Sequence, residues 1–265
     1  MPQEHITLRG VEFAYDRAGT GPDLVWGHGL TRSRATDDAF EMLGGHAIPA
    51  TVWRYDARGH GASGDGPAGT GQGWDELARD QLALATAWGL ETFVSGGASM
   101  GCGTSLHAAV AAPDRGKALL LVIPPTGWET RRAQVDIWGE IAGLVDDGGL
   151  PAYVDAFSSR PPPDPLQDGS DPRVRLEGAL RGAEPTRIAR NFRLAAAADL
   201  PDRDAIAQIQ APTLILAWTG DPAHPDAIAR ELADLVAGAA LHVASSPDEL
   251  TRWPALTRSF LADVG

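Results

Sequence analysis

Short apolar runs alternate with longer segments of helical periodicity along most of this chain. The strand-like runs cover residues 6–8, 11–15, 23–26, 51–55, 92–94, 118–123, 213–218 and 240–243. Apolar positions at the spacing of an amphipathic helix lie in segments 37–43, 74–88, 100–112, 227–236 and 254–264. Strands that alternate with helices in this way predict a mostly parallel central sheet with helices on both faces, which is an α/β fold.

The segment 126–210 departs from this alternation. It contains a proline-rich run at 160–165 and helix-like stretches at 133–145 and 186–198. An insertion between two parallel strands rises from the carboxyl edge of the sheet, so we predict a helical cap there, inserted before the penultimate strand. The predicted organisation is a core of residues 1–125 and 211–265 with a cap of residues 126–210.

Composition narrows the classes of partner. The chain has 265 residues, 43% of them hydrophobic, and a formal net charge of −13. A surface of that sign repels nucleic acid and anionic membranes. No apolar stretch has the roughly 20 residues of a membrane span, and the first residues lack the basic head and apolar core of a secretory signal. A single cysteine, Cys102, is typical of a reducing compartment, so the sequence predicts a cytoplasmic protein. The expected partner is a small molecule, and homo-oligomerisation stays open.

The string Gly97-Ala98-Ser99-Met100-Gly101 holds the first candidate chemistry. It follows an apolar run and opens an alanine-rich helical segment. A G-x-S-x-G string between strand and helix is typical of a sharp turn that presents a nucleophilic serine. Two further motifs precede it: His28 and Gly29 follow the strand at 23–26, and the string R-Y-D-x-R-G-H-G-x-S occupies residues 54–63.

These three motifs, in this order, resemble the α/β-hydrolase fold family, and the resemblance covers most of the chain. It implies a serine nucleophile, Ser99, and an oxyanion hole formed by the backbone N–H groups of Leu30 and Met100. The family's acid follows the penultimate strand, and the D-x-x-x-P sequence after Trp218 makes Asp221 the expected carboxylate. No cofactor is implied, and no metal-ligand or nucleotide-binding spacing occurs in the sequence.

The base departs from the family's pattern. The family places its histidine after the last strand, but this region contains no histidine, and the expected position falls near Ser246. His224 lies three residues after Asp221 and is the preferred replacement, with His242 in the last strand a weaker candidate. The resulting hypothesis is a cofactor-independent serine hydrolase of an ester, lactone or related activated carbonyl.

The missing histidine after the last strand also supports a function of another class. A chain without the usual histidine would suit a ligand-binding protein of this fold, or a non-hydrolytic lyase or isomerase with an incomplete triad. In either case, aromatic residues at strand ends are candidates for a pocket that takes a small apolar substrate. The candidate pocket residues are His28, Trp26, Trp128 and Trp218.

Overall fold

The computed structural model describes residues 3–67, 73–167, 169 and 171–265, so the first two residues of the N-terminal segment lie outside it. In this part of the chain eight strands form a single sheet. They are β1 (Glu4–Leu8), β2 (Val11–Ala18), β3 (Asp23–Gly27), β4 (Thr51–Tyr55), β5 (Phe93–Ala98), β6 (Gly116–Val122), β7 (Thr213–Trp218) and β8 (Ala240–Ala244). Their order across the sheet is β1-β2-β4-β3-β5-β6-β7-β8.

The helices fill the connections between these strands. They are α1 (Asp38–Met42), α2 (Trp74–Ala87), α3 (Met100–Ala111), α4 (Trp128–Arg132), α5 (Val135–Ser158), α6 (Pro172–Ala179), α7 (Pro185–Ala196), α8 (Arg203–Ile206), α9 (Asp226–Leu235), α10 (Pro247–Leu250) and α11 (Trp253–Asp263). Among the described residues, no helix is both long enough and apolar enough to span a bilayer.

Strand direction determines where functional loops can meet. The pairs β1–β2 and β2–β4 are antiparallel. From β4 to β8, every neighbouring pair is parallel. The ends of β3, β5, β6 and β7 therefore lie along one edge of the sheet, with Gly27 beside Gly97 and Ala98 beside Val122.

The central strands are buried on both faces, as the continuous apolar runs predict. Successive side chains of a strand point to opposite faces. In β6, Leu119 and Leu121 pack on one side with α2, α3 and α9 residues. Leu120 and Val122 pack on the other side with α1 and α11 residues.

Helices α4 to α8 lie between β6 and β7, where the sequence predicts the cap. Helices α5, α6 and α7 share an apolar cluster of their own, distinct from the two clusters that cover the sheet. This cluster contains Ile141, Ala142, Val145, Tyr153, Val154, Leu180, Ile188, Ala189 and Phe192. The boundaries of the cap at residues 126 and 210 stay a prediction.

Two of the predicted elements extend well beyond their expected bounds. The fifth strand was expected at 92–94 but continues through Gly96 and Gly97 to Ala98. Glycine lowers strand propensity, but the packing here is close, since a Cβ on Gly96 would lie 2.9 Å from the Leu24 side chain and 3.2 Å from the Leu120 carbonyl oxygen. The helix expected at 133–145 extends to Ser158 with a kink at Gly149, whose φ is 67° and which precedes Pro151 by two residues.

Candidate active site

Ser99 occupies the turn between β5 and α3. Its backbone has φ 52° and ψ −110°, a positive φ that is strained for a residue with a side chain. The turn is held by a hydrogen bond from the Ser99 N–H to the Val122 carbonyl at 3.1 Å. Strain of this kind persists only where the surroundings enforce it, and it places the serine at the carboxyl edge of the sheet.

The surroundings enforce the turn through close backbone packing. A Cβ on Gly101 would lie 2.1 Å from the Gly27 carbonyl oxygen, and a Cβ on Gly97 would lie 2.6 Å from the same atom. Real Cβ atoms do not approach oxygen so closely, so both positions require glycine. The glycines of the G-x-S-x-G string therefore let α3 pass directly against the end of β3.

The loop after β7 carries the candidate acid and base. Asp221 Oδ2 accepts hydrogen bonds from His224 Nδ1 at 2.7 Å and from Trp218 Nε1 at 3.0 Å. Its other oxygen, Oδ1, accepts from the Ala223 N–H at 2.9 Å. The carboxylate is thus held by three donors within its own loop, and it orients the imidazole with a proton on Nδ1.

The second ring nitrogen of His224 reaches the serine. Nε2 lies 2.8 Å from Ser99 Oγ, although the two residues are 125 positions apart. In a neutral imidazole, a proton on Nδ1 that is donated to Asp221 leaves Nε2 as an acceptor for the Ser99 hydroxyl. The structure therefore brings Ser99, His224 and Asp221 into one chain of hydrogen bonds that can move a proton away from the serine oxygen.

Electrostatics favour an ionised Asp221. Burial alone would raise the pKa of this carboxyl group, but the adjacent His224 and the hydrogen bonds from His224, Ala223 and Trp218 outweigh it and lower the pKa to about 2. Asp221 is consequently a carboxylate at any pH at which the protein would work. A permanent negative charge beside Nδ1 stabilises the imidazolium that forms when Nε2 takes a proton.

The candidate oxyanion donors flank Ser99. Met100 is the first residue of α3, and the first N–H groups of a helix have no partner within the helix. The loop that carries Leu30 packs on the serine from the other side, since a Cβ on Gly29 would lie 3.7 Å from Ser99 Cβ. The Gly29 carbonyl accepts from the Arg32 N–H at 3.0 Å and contacts His28 Nδ1 at 2.8 Å, which fixes the Gly29–Leu30 peptide.

The four candidate pocket residues occupy different environments. Trp218 contacts the site through Asp221, and its ring lies edge-on to the His224 ring with centroids 6.4 Å apart. His28 is buried, and its Nε2 accepts from the Ala57 N–H at 3.1 Å. Trp26 donates to Asp37 at 2.6 Å, and Trp128 donates to the Pro201 carbonyl at 3.0 Å. The prediction that they contact substrate stays a prediction.

A small cavity lies next to the two candidate oxyanion donors. It is close to the size of one water molecule. Its walls combine the two candidate donors with residues of α2 and α7, and the lining is Leu30, His60, Trp74, Leu77, Met100, Asn191, Leu194 and Ala195.

Two neighbouring arginines in α4 have different partners. Arg131 is buried between the rings of Trp74 and Trp138, at 4.4 and 5.0 Å from the ring centroids. It donates to the Ala198 and Ala195 carbonyls near the end of α7. The guanidinium of Arg131 therefore holds α4 to α7, while Arg132 is exposed and pairs with Glu129.

The other histidines do not contact Ser99 in this arrangement. His242 is exposed on β8, and His107 Nε2 contacts the Asp199 carbonyl at 2.9 Å. His60 belongs to the 54–63 motif, and its two ring nitrogens face the backbone carbonyls of Arg58 and Leu30. His224 is thus the histidine that meets the serine, as the preferred reading of the sequence requires.

A sequence model described as the alpha/beta hydrolase fold matches residues 44–145. Solved structures agree over nearly the whole chain. A hydrolase from Pseudomonas aeruginosa PA01 superimposes with a TM-score of 0.78 at 24% identity, covering 99% of this chain and 97% of that one. This chain has the α/β-hydrolase fold. The predicted fold class is therefore confirmed.

Two other solved structures are similar to this chain to a comparable degree. The enol-lactonase from Burkholderia xenovorans LB400 has a TM-score of 0.76 at 24% identity, covering 98% of this chain and 99% of that chain. A thermophilic esterase from Thermogutta terrifontis has a TM-score of 0.76 at 22% identity, covering 99% and 97%. None of the curated proteins matches the sequence. Identities this low establish the shared fold, and the chemistry must be argued from the site.

Proposed function

We propose that this protein is a cofactor-independent serine hydrolase that acts on an ester, lactone or related activated carbonyl of a small, apolar substrate. The observation that carries the proposal is the position of His224, whose ring nitrogens lie 2.7 Å from Asp221 and 2.8 Å from Ser99 Oγ. A neutral imidazole that links a carboxylate to a strained serine is the arrangement that acyl transfer to serine requires.

In the first half of the reaction, Ser99 Oγ attacks the carbonyl carbon and its proton passes to His224 Nε2. Negative charge then develops on the former carbonyl oxygen. The N–H groups of Leu30 and Met100 are the donors proposed to stabilise it, and such a donor is typically worth about 10²–10³ in rate. Nε2–H next protonates the leaving alkoxide, so the carbon–oxygen bond of the ester breaks and an acyl-serine remains.

In the second half, a water molecule replaces the alcohol. His224 Nε2 accepts a proton from the water as its oxygen attacks the acyl carbon. The same nitrogen then returns the proton to Ser99 Oγ when the acyl–serine bond breaks. The carboxylic acid leaves, and Asp221 keeps its negative charge throughout because it only stabilises the imidazolium.

The alternative of a binding protein or a non-hydrolytic enzyme rests on the missing histidine after the last strand. His224 supplies an imidazole from the preceding loop, so the absence near Ser246 does not argue against hydrolysis. The strained backbone at Ser99 points the same way, since strain costs stability and is typically found at functional sites.

A fluorophosphonate probe tests the proposal. The probe phosphonylates a serine whose hydroxyl is activated, and intact-protein mass spectrometry measures the added mass. We expect the wild-type protein to gain one adduct located at Ser99, and Ser99→Ala to gain none. Hydrolysis of p-nitrophenyl acetate should disappear in the same variant. No adduct between pH 6 and 9, together with no turnover of short esters, would refute the proposal.

Replacement of Asp221 by asparagine tests the role of the carboxylate. An asparagine can present its N–H₂ group to Nδ1 and so favour the wrong tautomer of His224, which we expect to lower kcat/KM by about 10²–10⁴. Wild-type activity should show no change between pH 4 and 9 that is due to Asp221, since its pKa is about 2. Retention of more than a tenth of the wild-type kcat/KM would contradict this role.

The same variant has a predicted effect on stability against pH. The pKa of Asp221 in the folded protein is about 2, below the 3.8 that is usual for an aspartate, so the unfolded chain binds this proton first as the pH falls. The stabilisation is present above about pH 4 and is lost as the pH falls towards 2. Urea unfolding between pH 4 and 2 should therefore show a smaller loss of stability in Asp221→Asn than in the wild type.

A further inference from the structure

Two buried histidines lie beside the oxyanion loop and take no part in the proposed proton transfers. The rings of His28 and His60 are in contact, with centroids 5.1 Å apart. His28 holds the carbonyl of Gly29, and His60 Nε2 lies 2.9 Å from the carbonyl of Leu30. The backbone on both sides of the proposed Leu30 donor is therefore contacted by an imidazole.

Each ring nitrogen of His60 faces a backbone carbonyl, but a neutral imidazole has only one N–H to donate. Its Nδ1 lies 2.9 Å from the Arg58 carbonyl, and its Nε2 lies 2.9 Å from the Leu30 carbonyl. Burial, with a further contribution from His28, lowers the pKa of His60 to about 3 despite these two carbonyls. The ring is neutral at ordinary pH, so a single N–H must serve one carbonyl or the other.

A contact from the predicted cap determines whether the N–H of His60 is donated to the Arg58 or the Leu30 carbonyl. Asn191 of α7 is buried, and its Nδ2 lies 3.1 Å from His60 Nε2 and donates to the Gly59 carbonyl at 3.1 Å. The contact with Gly59 requires the amino group on this side of the amide. Its second hydrogen then points to Nε2, which must accept it, so the proton of His60 resides on Nδ1 and is donated to Arg58.

Leu30 is left without a donor from His60 in this state. Its carbonyl oxygen faces the lone pair of Nε2 at 2.9 Å, a contact that a proton on Nε2 would turn into a hydrogen bond. Asn191 and the Leu30 carbonyl thus compete for one ring nitrogen. As long as α7 is docked on the loop that contains Gly59, Asn191 is the partner of Nε2.

Other contacts keep α7 docked at this place. Arg187 donates to the Gly61 and Ser63 carbonyls at 3.1 and 2.7 Å. Arg187 and Arg190 both pair with Asp65, at 2.7 and 2.8 Å. The same helix therefore holds the cap on the core loop and presents Asn191 to His60.

We propose that Asn191 is a positioning residue that couples the docked cap to the oxyanion loop. By fixing the tautomer of His60, it determines whether the Leu30 carbonyl, 2.9 Å from Nε2, receives a hydrogen bond from this ring, and so sets the position of the Leu30 backbone that serves the transition state. The inference rests on the proposed function in one respect, which is that the Leu30 N–H donates to the oxyanion.

The test compares Asn191→Leu with Arg190→Gln. Leucine has nearly the shape of asparagine but no N–H, whereas Arg190→Gln weakens the neighbouring cap contact and leaves Asn191 and His60 intact. Nitrogen-15 NMR of the imidazoles should show the Nδ1–H tautomer of His60 in the wild type and in Arg190→Gln. In Asn191→Leu, the Nε2–H tautomer should become populated.

Kinetics distinguish positioning from a general loss of structure. We expect Asn191→Leu to lower kcat for p-nitrophenyl acetate by about 5–50-fold with KM within about twofold, since oxyanion donors act mainly in the transition state. Binding of a small aliphatic trifluoromethyl ketone, which forms an oxyanion adduct with serine, should weaken by a similar factor. Arg190→Gln should match the wild type in both measurements.

Each result separates this inference from the proposed function. An unchanged tautomer in Asn191→Leu, or equal kcat and ketone affinity in the two variants, would overturn the coupling even if Ser99 is labelled by a fluorophosphonate. A wild-type protein that neither reacts with the fluorophosphonate nor hydrolyses esters would overturn the proposed function instead. The NMR measurement is made on the free protein and does not depend on activity.

Discussion

Replacing His224 by glutamine is expected to lower kcat/KM for p-nitrophenyl acetate by about 10²–10⁴, the range that a general base contributes. Glutamine fills a similar volume and can still contact Asp221, but it cannot take a proton from Ser99 Oγ. The loss should appear in kcat, because the imidazole acts on the reacting atoms and its absence leaves the substrate pocket in place.

His242→Gln is the matched control. His242 is a second candidate base by sequence, but it is exposed on β8. We expect it to retain wild-type kcat/KM. Comparable losses in the two variants, or full activity in His224→Gln, would show that the proton leaves the serine by another route.

Replacing Gly101 by alanine is expected to destabilise the fold by at least about 3 kcal/mol, the upper range of overpacking effects. The added Cβ would lie 2.1 Å from the Gly27 carbonyl oxygen and 2.7 Å from its carbon, and these are backbone atoms that cannot rotate away. Either α3 separates from β3 or the turn at Ser99 changes. Urea unfolding followed by circular dichroism measures the loss.

Gly139→Ala supplies the control for this substitution. Gly139 lies within α5, is exposed, and has no atom within 4 Å of an added Cβ. An alanine there should stabilise the protein by roughly 0.5–1 kcal/mol through its higher helix propensity. An unfolding midpoint of Gly101→Ala equal to that of the wild type would contradict the close packing at the turn.

Much of the fold follows from local patterns. The strand runs at 51–55 and 213–218 coincide with β4 and β7, because each is rich in β-branched and aromatic residues and is bounded by turn residues. Helix α6 was not expected, since Ala179 is its only buried residue and no apolar periodicity marks it. The glycines of β5 also weaken the strand signal in the sequence. The reason for glycine at these positions appears only in the structure, where β3 and α3 lie against them.

The candidate site also combines features that local sequence predicts with contacts that only the fold creates. Ser99 and Asp221 stand in motifs, and the nearness of His224 to Asp221 in the chain made an Asp–His contact reasonable. The 2.8 Å contact between His224 and Ser99 depends on the order of β5, β6 and β7 across the sheet, which no local pattern contains. Their roles in catalysis stay predictions until the variants are measured.

Other contributions could not be read from the sequence. The indole N–H of Trp218 donates to Asp221, a contact that no motif in the sequence marks. Asn191 has no motif around it, and its significance arises only where α7 meets the 54–63 loop. Ser246, where the usual histidine falls, accepts a hydrogen bond from the Glu249 N–H as the N-cap of α10. That position therefore serves the start of a helix in this chain.

The rate at which a fluorophosphonate labels Ser99 tests most directly whether His224 activates the serine. In the wild type, the probe should add one adduct at Ser99 with a measurable second-order rate constant. In His224→Gln, this rate constant should be at least about a hundredfold lower, whereas His242→Gln should match the wild type. Labelling of His224→Gln at the wild-type rate would contradict the account.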